Sequence, residues 1–281
     1  MFEIVKKRIL NSQVKLMDIY APHIAKKAEP GQFIIFRVNE KGERVPLTIA
    51  DFHREKGTVT IIFQELGKST KELGALNEGD TILDFVGPLG VASEFGHVKK
   101  AAVVGGGLGA AIAYPQAKKL NSLGTEVHTI IGFRNKDLII LEEEMKAVSN
   151  KQFVTTDDGS NGTKGFVTDV LKKLIEEGNQ YDLVIATGPL IMMKAVSNLT
   201  RPYNIKTIVS MNPIMIDGTG MCGGCRVTVG GEIKFACVDG PDFDGHKVDF
   251  DEAIRRQNMY KKHETESVTK HQCKLGGGNN A

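Results

Sequence analysis

Four side chains suited to holding metal, Asp217, Cys222, Cys225 and Cys237, follow one another as D-x4-C-x2-C-x11-C. That is the plant-type spacing for a [2Fe–2S] cluster, with aspartate in the first ligand position. Such a centre moves one electron at a time. The surrounding Ile216-Asp-Gly-Thr-Gly-Met-Cys-Gly-Gly-Cys225 is rich in small residues, whose backbone N–H groups can close around a compact anionic group. Zinc is the competing reading, because Cys222, Cys225, Cys237 and the distant Cys273 could supply four thiolates. The triplet spacing favours the cluster over paired C-x-x-C knuckles, and thiols that merely pack explain the glycine-rich setting poorly.

Two glycine turns point to a second chemistry. Val103-Val104-Gly105-Gly106-Gly107-Leu108-Gly109-Ala110 closes a strand-like run and opens a helical one. Free N–H groups at a helix N-terminus favour a pyrophosphate, which makes Gly105, Gly107, Leu108 and Gly109 candidate contacts. The same run also suits a close helix–sheet contact, and its place at the head of an α/β region supports the nucleotide reading. A second turn, Thr187-Gly188-Pro189, precedes a helical stretch containing Met192. In an open parallel sheet, ligands collect where such turns meet at the carboxyl ends of strands. Arg134 follows another strand-like run, where it could accept a 2′-phosphate or stand in a solvated turn; Asp158-Gly159 reads locally as a capped turn.

Nearer the N-terminus, Arg44-Val45-Pro46-Leu47-Thr48 ends in a hydroxyl, and Gly67-Lys68-Ser69-Thr70 joins a glycine to a cation and two hydroxyls. Arginine pairs with phosphate oxygens, glycine bares backbone N–H groups, and threonine can hydrogen-bond a flavin ring nitrogen. Each pattern is also common on protein surfaces.

The elements that must position these groups divide along the chain. Residues 4–9, 14–19, 33–38, 59–63 and 81–85 read as short strands between turn signals, which predicts a β-barrel over residues 1–98. Strands at 101–104, 127–132 and 183–186 alternate with helices at 110–120, 141–148 and 167–177, which predicts a parallel-sheet α/β domain over 99–209. A cluster segment over 210–250 and a helical, then mobile, tail over 251–281 complete the chain, with one helix expected at 250–262. The 281 residues carry 36 basic and 34 acidic side chains, a balance that implies no nucleic-acid partner. The run 101–115 is too short and glycine-interrupted to span a bilayer, so no membrane partner is expected. A chain whose cysteines serve a cluster belongs in a reducing compartment, and the expectation is a soluble cytoplasmic protein.

In order, Pro30-Gly31-Gln32-Phe33, Arg44 to Thr48, Gly67 to Thr70, Gly87-Pro88-Leu89-Gly90, the Gly105 turn and Thr187-Gly-Pro with Met192 resemble the ferredoxin-NADP reductase superfamily. Cysteine ligands after the nucleotide domain make the chain similar to dihydroorotate dehydrogenase electron-transfer subunits. Asp217 and Cys237-Val-Asp-Gly-Pro-Asp-Phe-Asp-Gly-His246 bring it closer to small subunits of electron-bifurcating NADH-dependent reduced ferredoxin:NADP oxidoreductases, also described as sulfide dehydrogenase small subunits. The resemblance implies a ferredoxin-reductase-like fold. FAD would be held by Arg44, Pro46, Leu47, Gly67, Lys68, Ser69 and Thr70, with Thr48 at the reacting ring. NAD(H), preferred over NADP on the family's pattern, would lie along the two glycine turns, near Arg134, Asp158 and Gly159. The implied partner is a larger flavin and iron-sulfur subunit that binds NADP(H) and ferredoxin. The sequence departs from the wider superfamily in placing Arg44 four residues before Thr48 rather than three, and Thr187 where a cysteine is common. The alternatives are a dihydroorotate dehydrogenase subunit and, in another class, a zinc-stabilised nucleotide-sensing module.

Overall fold

The computed structural model describes residues 1–276, and side chains at 268 and 270–276 are left aside. The Cys273 thiol and the tail at 277–281, expected to be mobile, lie outside the described residues.

Eleven elements make up the first part: β1 (Phe2–Ile9), β2 (Val14–Tyr20), α1 (Pro22–Lys27), β3 (Phe33–Arg37), β4 (Val45–His53), β5 (Thr58–Gln64), α2 (Lys68–Ala75), β6 (Thr81–Ile82), β7 (Asp84–Leu89), β8 (Lys100–Gly106) and α3 (Gly109–Ser122). Strands β6-β1-β2-β5-β4-β3-β7 form one nearly closed antiparallel barrel. Side-chain alternation explains it. Ile34 and Phe36 of β3, with Val45, Leu47 and Ile49 of β4, meet in the barrel core, while Phe33 and Ile35 face outward into a different apolar cluster. The single strand expected at 81–85 is two, because β6 pairs with β1 and β7 with β3, the chain changing partners where Leu83 N–H bonds the Val38 carbonyl. Gly67 is the N-cap of helix α2, so Lys68, Ser69 and Thr70 form its first turn.

The remaining elements are β9 (Glu126–Phe133), α4 (Glu142–Ala147), β10 (Lys151–Thr156), α5 (Val167–Glu176), β11 (Leu183–Thr187), α6 (Leu190–Thr200), β12 (Lys206–Ser210), β13 (Arg226–Val229), β14 (Glu232–Phe235), β15 (Asp242–Asp244), α7 (Phe250–Gln257) and α8 (Lys261–Gly276). A six-stranded sheet runs β10-β9-β8-β11-β12-β15, parallel except for β15. Its central strands are apolar on both faces: Ala101 and Val103 of β8 enter one core, Ala102 and Val104 the other. Each fully buried valine or isoleucine contributes roughly 1.5–3 kcal/mol.

From β8 the chain winds outward to β9 and β10, then returns to the other side of β8 at β11. That reversal opens a crevice at the carboxyl ends of β8 and β11. Strand β15 falls within the range expected for the cluster segment, yet it is hydrogen-bonded to β12, so this stretch is continuous with the α/β sheet. The helix expected at 250–262 breaks after Gln257, where Asn258 caps α7. Among the described residues no helix is long and apolar enough to cross a membrane.

Candidate functional site

The cluster donors stand as two pairs. Cys225 and Cys237 are each 1% exposed, and their sulfurs lie 3.2 Å apart as free thiols. Asp217 and Cys222 form the other pair on the exposed side: the Cys222 N–H donates to Asp217 Oδ2 at 2.7 Å and the Thr219 N–H to Oδ1 at 2.9 Å. These backbone donors, Thr219 first, hold the Asp217 carboxyl below the usual range. Burial, reinforced by Cys225, pushes the Cys237 thiol up to about 12. A bound cation reverses that preference, because coordination draws thiols into the thiolate form. Among the described residues no three His, Cys, Asp or Glu side chains converge on a point suited to a single metal ion. Two pairs of donors are what a two-iron centre requires, so the set fits the cluster better than one zinc. A further N–H, from Gly224, points at the Cys222 sulfur at 3.4 Å and would temper its charge.

This loop is seated on the barrel. Residues 44, 46, 48 and 50 of the β4 segment alternate with the core-facing Val45, Leu47 and Ile49, and register pairs Thr48 with Phe33 and Pro46 with Ile35. Register continues from Phe33 to Leu89 and from Ile35 to Val86. A Cβ at Gly218 would come within 2.7 Å of Ile35 Cδ1 and 2.8 Å of Leu89 Cδ1, so only glycine permits this seating. Asp217 and Arg44 line one cavity of about 360 Å³ with Arg37, Asp84 and Val86. Thr48 and the Asp217 donor therefore share one face of the barrel, a strand or two and one side-chain row apart, on the order of 10 Å.

At the start of α2, the Thr70 hydroxyl accepts from the Gly67 and Leu66 N–H groups, both at 3.1 Å. Ser69 is buried and donates to Glu43 Oε2 at 2.9 Å. The Ser69 and Thr70 hydroxyls, expected to help hold FAD, are thus engaged within the protein, and the Lys68 ammonium lies 3.8 Å from Glu72 Oε1; backbone N–H groups at a helix start are of the kind that can meet an anion. Glu43, a carboxylate at this helix start, was not signalled by any motif. Arg44 shares its cavity with Asp217, which associates it with the cluster loop at least as closely as with this helix start.

The nucleotide crevice is tightly built. A Cβ on Gly109 would lie 2.1 Å from the Thr187 carbonyl oxygen, so the two glycine turns touch backbone to backbone. Thr187, expected to contact the nucleotide, is fully buried, and its hydroxyl donates to the Gly109 carbonyl at 2.7 Å. Its hydroxyl thus braces the two turns against each other. Gly107 faces open space, whereas Met192 Sδ would be 2.4 Å from a Cβ on Gly106 and covers that side of the turn beside Pro189. Leu108 is partly exposed at the mouth, and Gly105 and Gly188 form its floor with Gly106. At the ends of β9 and β10, the Asp158 N–H bonds the Arg134 carbonyl at 3.3 Å, bringing exposed Arg134 beside Asp158 and Gly159 on the same edge of the sheet. Asp158 is held low by the Ser160 hydroxyl and N–H, consistent with the capped turn.

Two family models match parts of the chain. Residues 103–198 match the oxidoreductase NAD-binding domain, and 212–249 match the iron-sulfur cluster binding domain of dihydroorotate dehydrogenase B. A chain from the structure of an NADH-dependent reduced ferredoxin-NADP oxidoreductase, described for flavin-based electron bifurcation, superimposes with a TM-score of 0.91 at 47% identity, covering 96% of this chain and 97% of that one. The ferredoxin reductase of carbazole 1,9a-dioxygenase, at 19% identity and a TM-score of 0.61 over 73% of this chain and 64% of its own, shares the fold. A Clostridium beijerinckii protein from the adh 3′ region is 57% identical over 94% of this chain and 92% of its own. A Thermotoga maritima homologue of the dihydroorotate dehydrogenase B (NAD(+)) electron transfer subunit is 49% identical over 93% of this chain and 92% of its own. On this likeness, the chain belongs to the family of dihydroorotate dehydrogenase B electron-transfer subunits and their homologues.

Proposed function

We propose that this chain is the NAD(H)-linked small subunit of an NADH-dependent reduced ferredoxin:NADP oxidoreductase complex. FAD and a [2Fe–2S] cluster together convert two-electron hydride chemistry into single-electron transfer. The observation that carries the reading is the seating of the Asp217 loop on the outward barrel face that bears Thr48. In that arrangement the α2 start, with Lys68, holds the flavin pyrophosphate, and Thr48 hydrogen-bonds the ring. Gly105, Gly107 and Gly109 admit the nicotinamide pyrophosphate, while Arg134, Asp158 and Gly159 border its far end. Met192 covers the crevice and keeps water from the reacting face. Asp217, Cys222, Cys225 and Cys237 would hold the cluster, with Cys222 on its exposed side.

The partner in this reading is a larger flavin and iron-sulfur subunit that takes NADP(H) and ferredoxin, and the compartment is the cytoplasm. The 47% identity and near-complete coverage of the bifurcating enzyme's chain favour this assembly. Relatives named as dihydroorotate dehydrogenase B electron transfer subunits, such as that of Fusobacterium nucleatum at 35% identity, support the second reading, in which dihydroorotate supplies the electrons. Anaerobic purification with each candidate large subunit, followed by ultraviolet-visible spectroscopy and NADH titration, separates them. One FAD and two irons per chain, bleached by NADH, with retention of the ferredoxin-linked subunit, is the expected result. Zinc in place of iron would overturn the electron-transfer reading altogether.

A further inference from the structure

Asp242, at the start of β15, has a carboxyl for which the electron-transfer reading offers no use. Its Oδ2 accepts from the Ser93 hydroxyl and from Gln116 Nε2 at 3.2 Å. The residue is partly exposed as a whole, but Oδ1 is shut off from solvent and has no partner. Gln116 is fully buried on α3, and its Oε1 also has no partner. Two orphaned acceptors, one on each member of a hydrogen-bonded pair, would each be costly to leave buried. Since Gln116 Nε2 already meets Oδ2, a proton on Oδ1 would supply the donor that Gln116 Oε1 lacks and would satisfy both atoms.

The partners come from three parts of the molecule. Ser93 belongs to the loop leaving the barrel, Gln116 to the helix that begins at the nucleotide turn, and Asp242 to the strand that follows the cluster donors. Backbone bonds reinforce the joint: the Val91 N–H donates to the Gly240 carbonyl at 2.7 Å and the Met211 N–H to the Pro241 carbonyl at 2.9 Å. No titrating side chain faces the carboxyl from the barrel loop, α3 or β12, where its neighbours are Ser93, Gln116 and Ser210. Without a cation beside it, an ionised carboxylate here would be costly.

We infer that Asp242 and Gln116 form a two-point acid–amide pair, with the proton on the carboxyl, and that this pair positions the nucleotide domain and cluster segment against the flavin barrel. Asp242 is a positioning residue: its hydrogen bonds go to Ser93 and Gln116, neither of them a cluster donor nor part of a glycine turn. Its place in catalysis rests on the electron-transfer reading above, whereas its protonation can be tested without it.

Infrared spectroscopy of the holoprotein at neutral pH should show a protonated carboxyl band that is missing in Asp242→Asn. Absence of that band from the wild type would overturn the pair and leave an ionised carboxylate met by a bridging water. Unfolding as a function of pH gives a second reading. Burial raises the folded Asp242 carboxyl above its ordinary 3.8, so as pH rises from about 4 the unfolded chain releases a proton that the folded chain keeps. Wild-type stability relative to Asp242→Asn should therefore fall about tenfold in the folding equilibrium constant per pH unit, levelling off above the folded value. A pH-independent ratio would overturn the assignment.

For the positioning role, single-turnover reduction of the flavin by NADH is compared among three variants. Asp242→Asn, which can donate and accept as the neutral acid does, should stay within about twofold of wild type. Gln116→Leu and Asp242→Leu should slow hydride transfer roughly tenfold or more while NADH affinity stays within about twofold, because small misplacements cost rate before binding. Unchanged rates in folded Gln116→Leu would show that the pair positions nothing, and a loss equal in Asp242→Asn and Asp242→Leu would do the same.

Discussion

The nucleotide crevice is floored by the ends of β8 and β11, each hydrogen-bonded to strands on both sides, whereas the cluster donors hang largely on an irregular loop. In the crevice, position is set by sheet register and by the Gly109–Thr187 backbone contact. In the cluster loop it is set by two N–H groups on Asp217, by glycine seating at Ile35, and by a pair of thiols that would lose their common partner without metal. A site built on sheet ends can lose its ligand and keep its shape. A site built on a loop depends on the ligand to complete it.

The largest difference should come from the thiols. Cys225→Ser is expected to remove the cluster, with iron and acid-labile sulfide falling toward zero, while FAD content and NADH binding remain near wild type. Loss of flavin together with iron would show that the loop supports the barrel more than the barrel supports the loop. Asp217→Ala should also strip or destabilise the centre, and Asp217→Cys should keep it at a lower potential, since thiolate donates more electron density to iron than carboxylate does. Cys273→Ser should leave it intact. Cluster loss in Cys273→Ser with an unaffected Asp217→Ala protein would reassign the fourth ligand.

Gly107→Val tests the other region. Gly107 has φ of +55° and faces open space, so a branched side chain there is strained and would enter the space proposed for the nucleotide. NADH affinity should fall by roughly a hundredfold or more, on the order of 3 kcal/mol, with both chromophores retained. Undiminished affinity would make the turn a packing feature alone. A smaller effect is expected at Thr48→Val, which removes one hydrogen bond at the ring while α2 keeps the pyrophosphate. Flavin reduction should slow about tenfold, consistent with about 1.4 kcal/mol, and FAD occupancy should hold. An equal fall in occupancy and rate would place Thr48 in binding rather than chemistry.

The two regions also differed in how far the sequence revealed them. Continuous apolar runs and glycine turns marked β8, β9, β11 and the crevice between them, because their signals are local. The edge strand β10, with Lys151 and Gln152 at its start, lacked that run, and β15 is three residues whose strand character comes from pairing with β12. For the cluster, Cys spacing marked the donors but not where they dock. Nothing near Gly218 announces Ile35 and Leu89, residues far upstream that meet it through the barrel's outward face. Thr187 read as a ligand contact because it opens a glycine turn after a parallel strand; only packing shows its hydroxyl turned inward onto Gly109. Asp242, Gln116 and Ser93 are likewise invisible as a unit, being joined solely by tertiary structure.

The smallest predicted effect lies at the end of the sheet away from the crevice and asks whether the α/β domain is as independent of ligands as its construction suggests. His128 on β9 is fully buried, with Nδ1 2.8 Å from the Tyr181 hydroxyl and Nε2 3.0 Å from Glu126. Burial lowers its value below the ordinary 6.5, aided by Lys100 and Lys151, although Glu126 pulls the other way. As pH falls through 6.5 the unfolded chain takes up a proton that the folded chain refuses, so stability is full above that value and declines below it. The decline is at most about 1.4 kcal/mol per pH unit and ends at the folded value. His128→Gln cannot titrate, so between pH 7 and 5.5 its thermal unfolding should lose less than the wild type's, whatever its baseline cost. If this domain holds its shape through its own sheet, the difference in slope should be the same in the Cys225→Ser protein that lacks the cluster. A slope difference that vanished with the cluster would mean that the nucleotide domain, too, depends on the loop for its folded state.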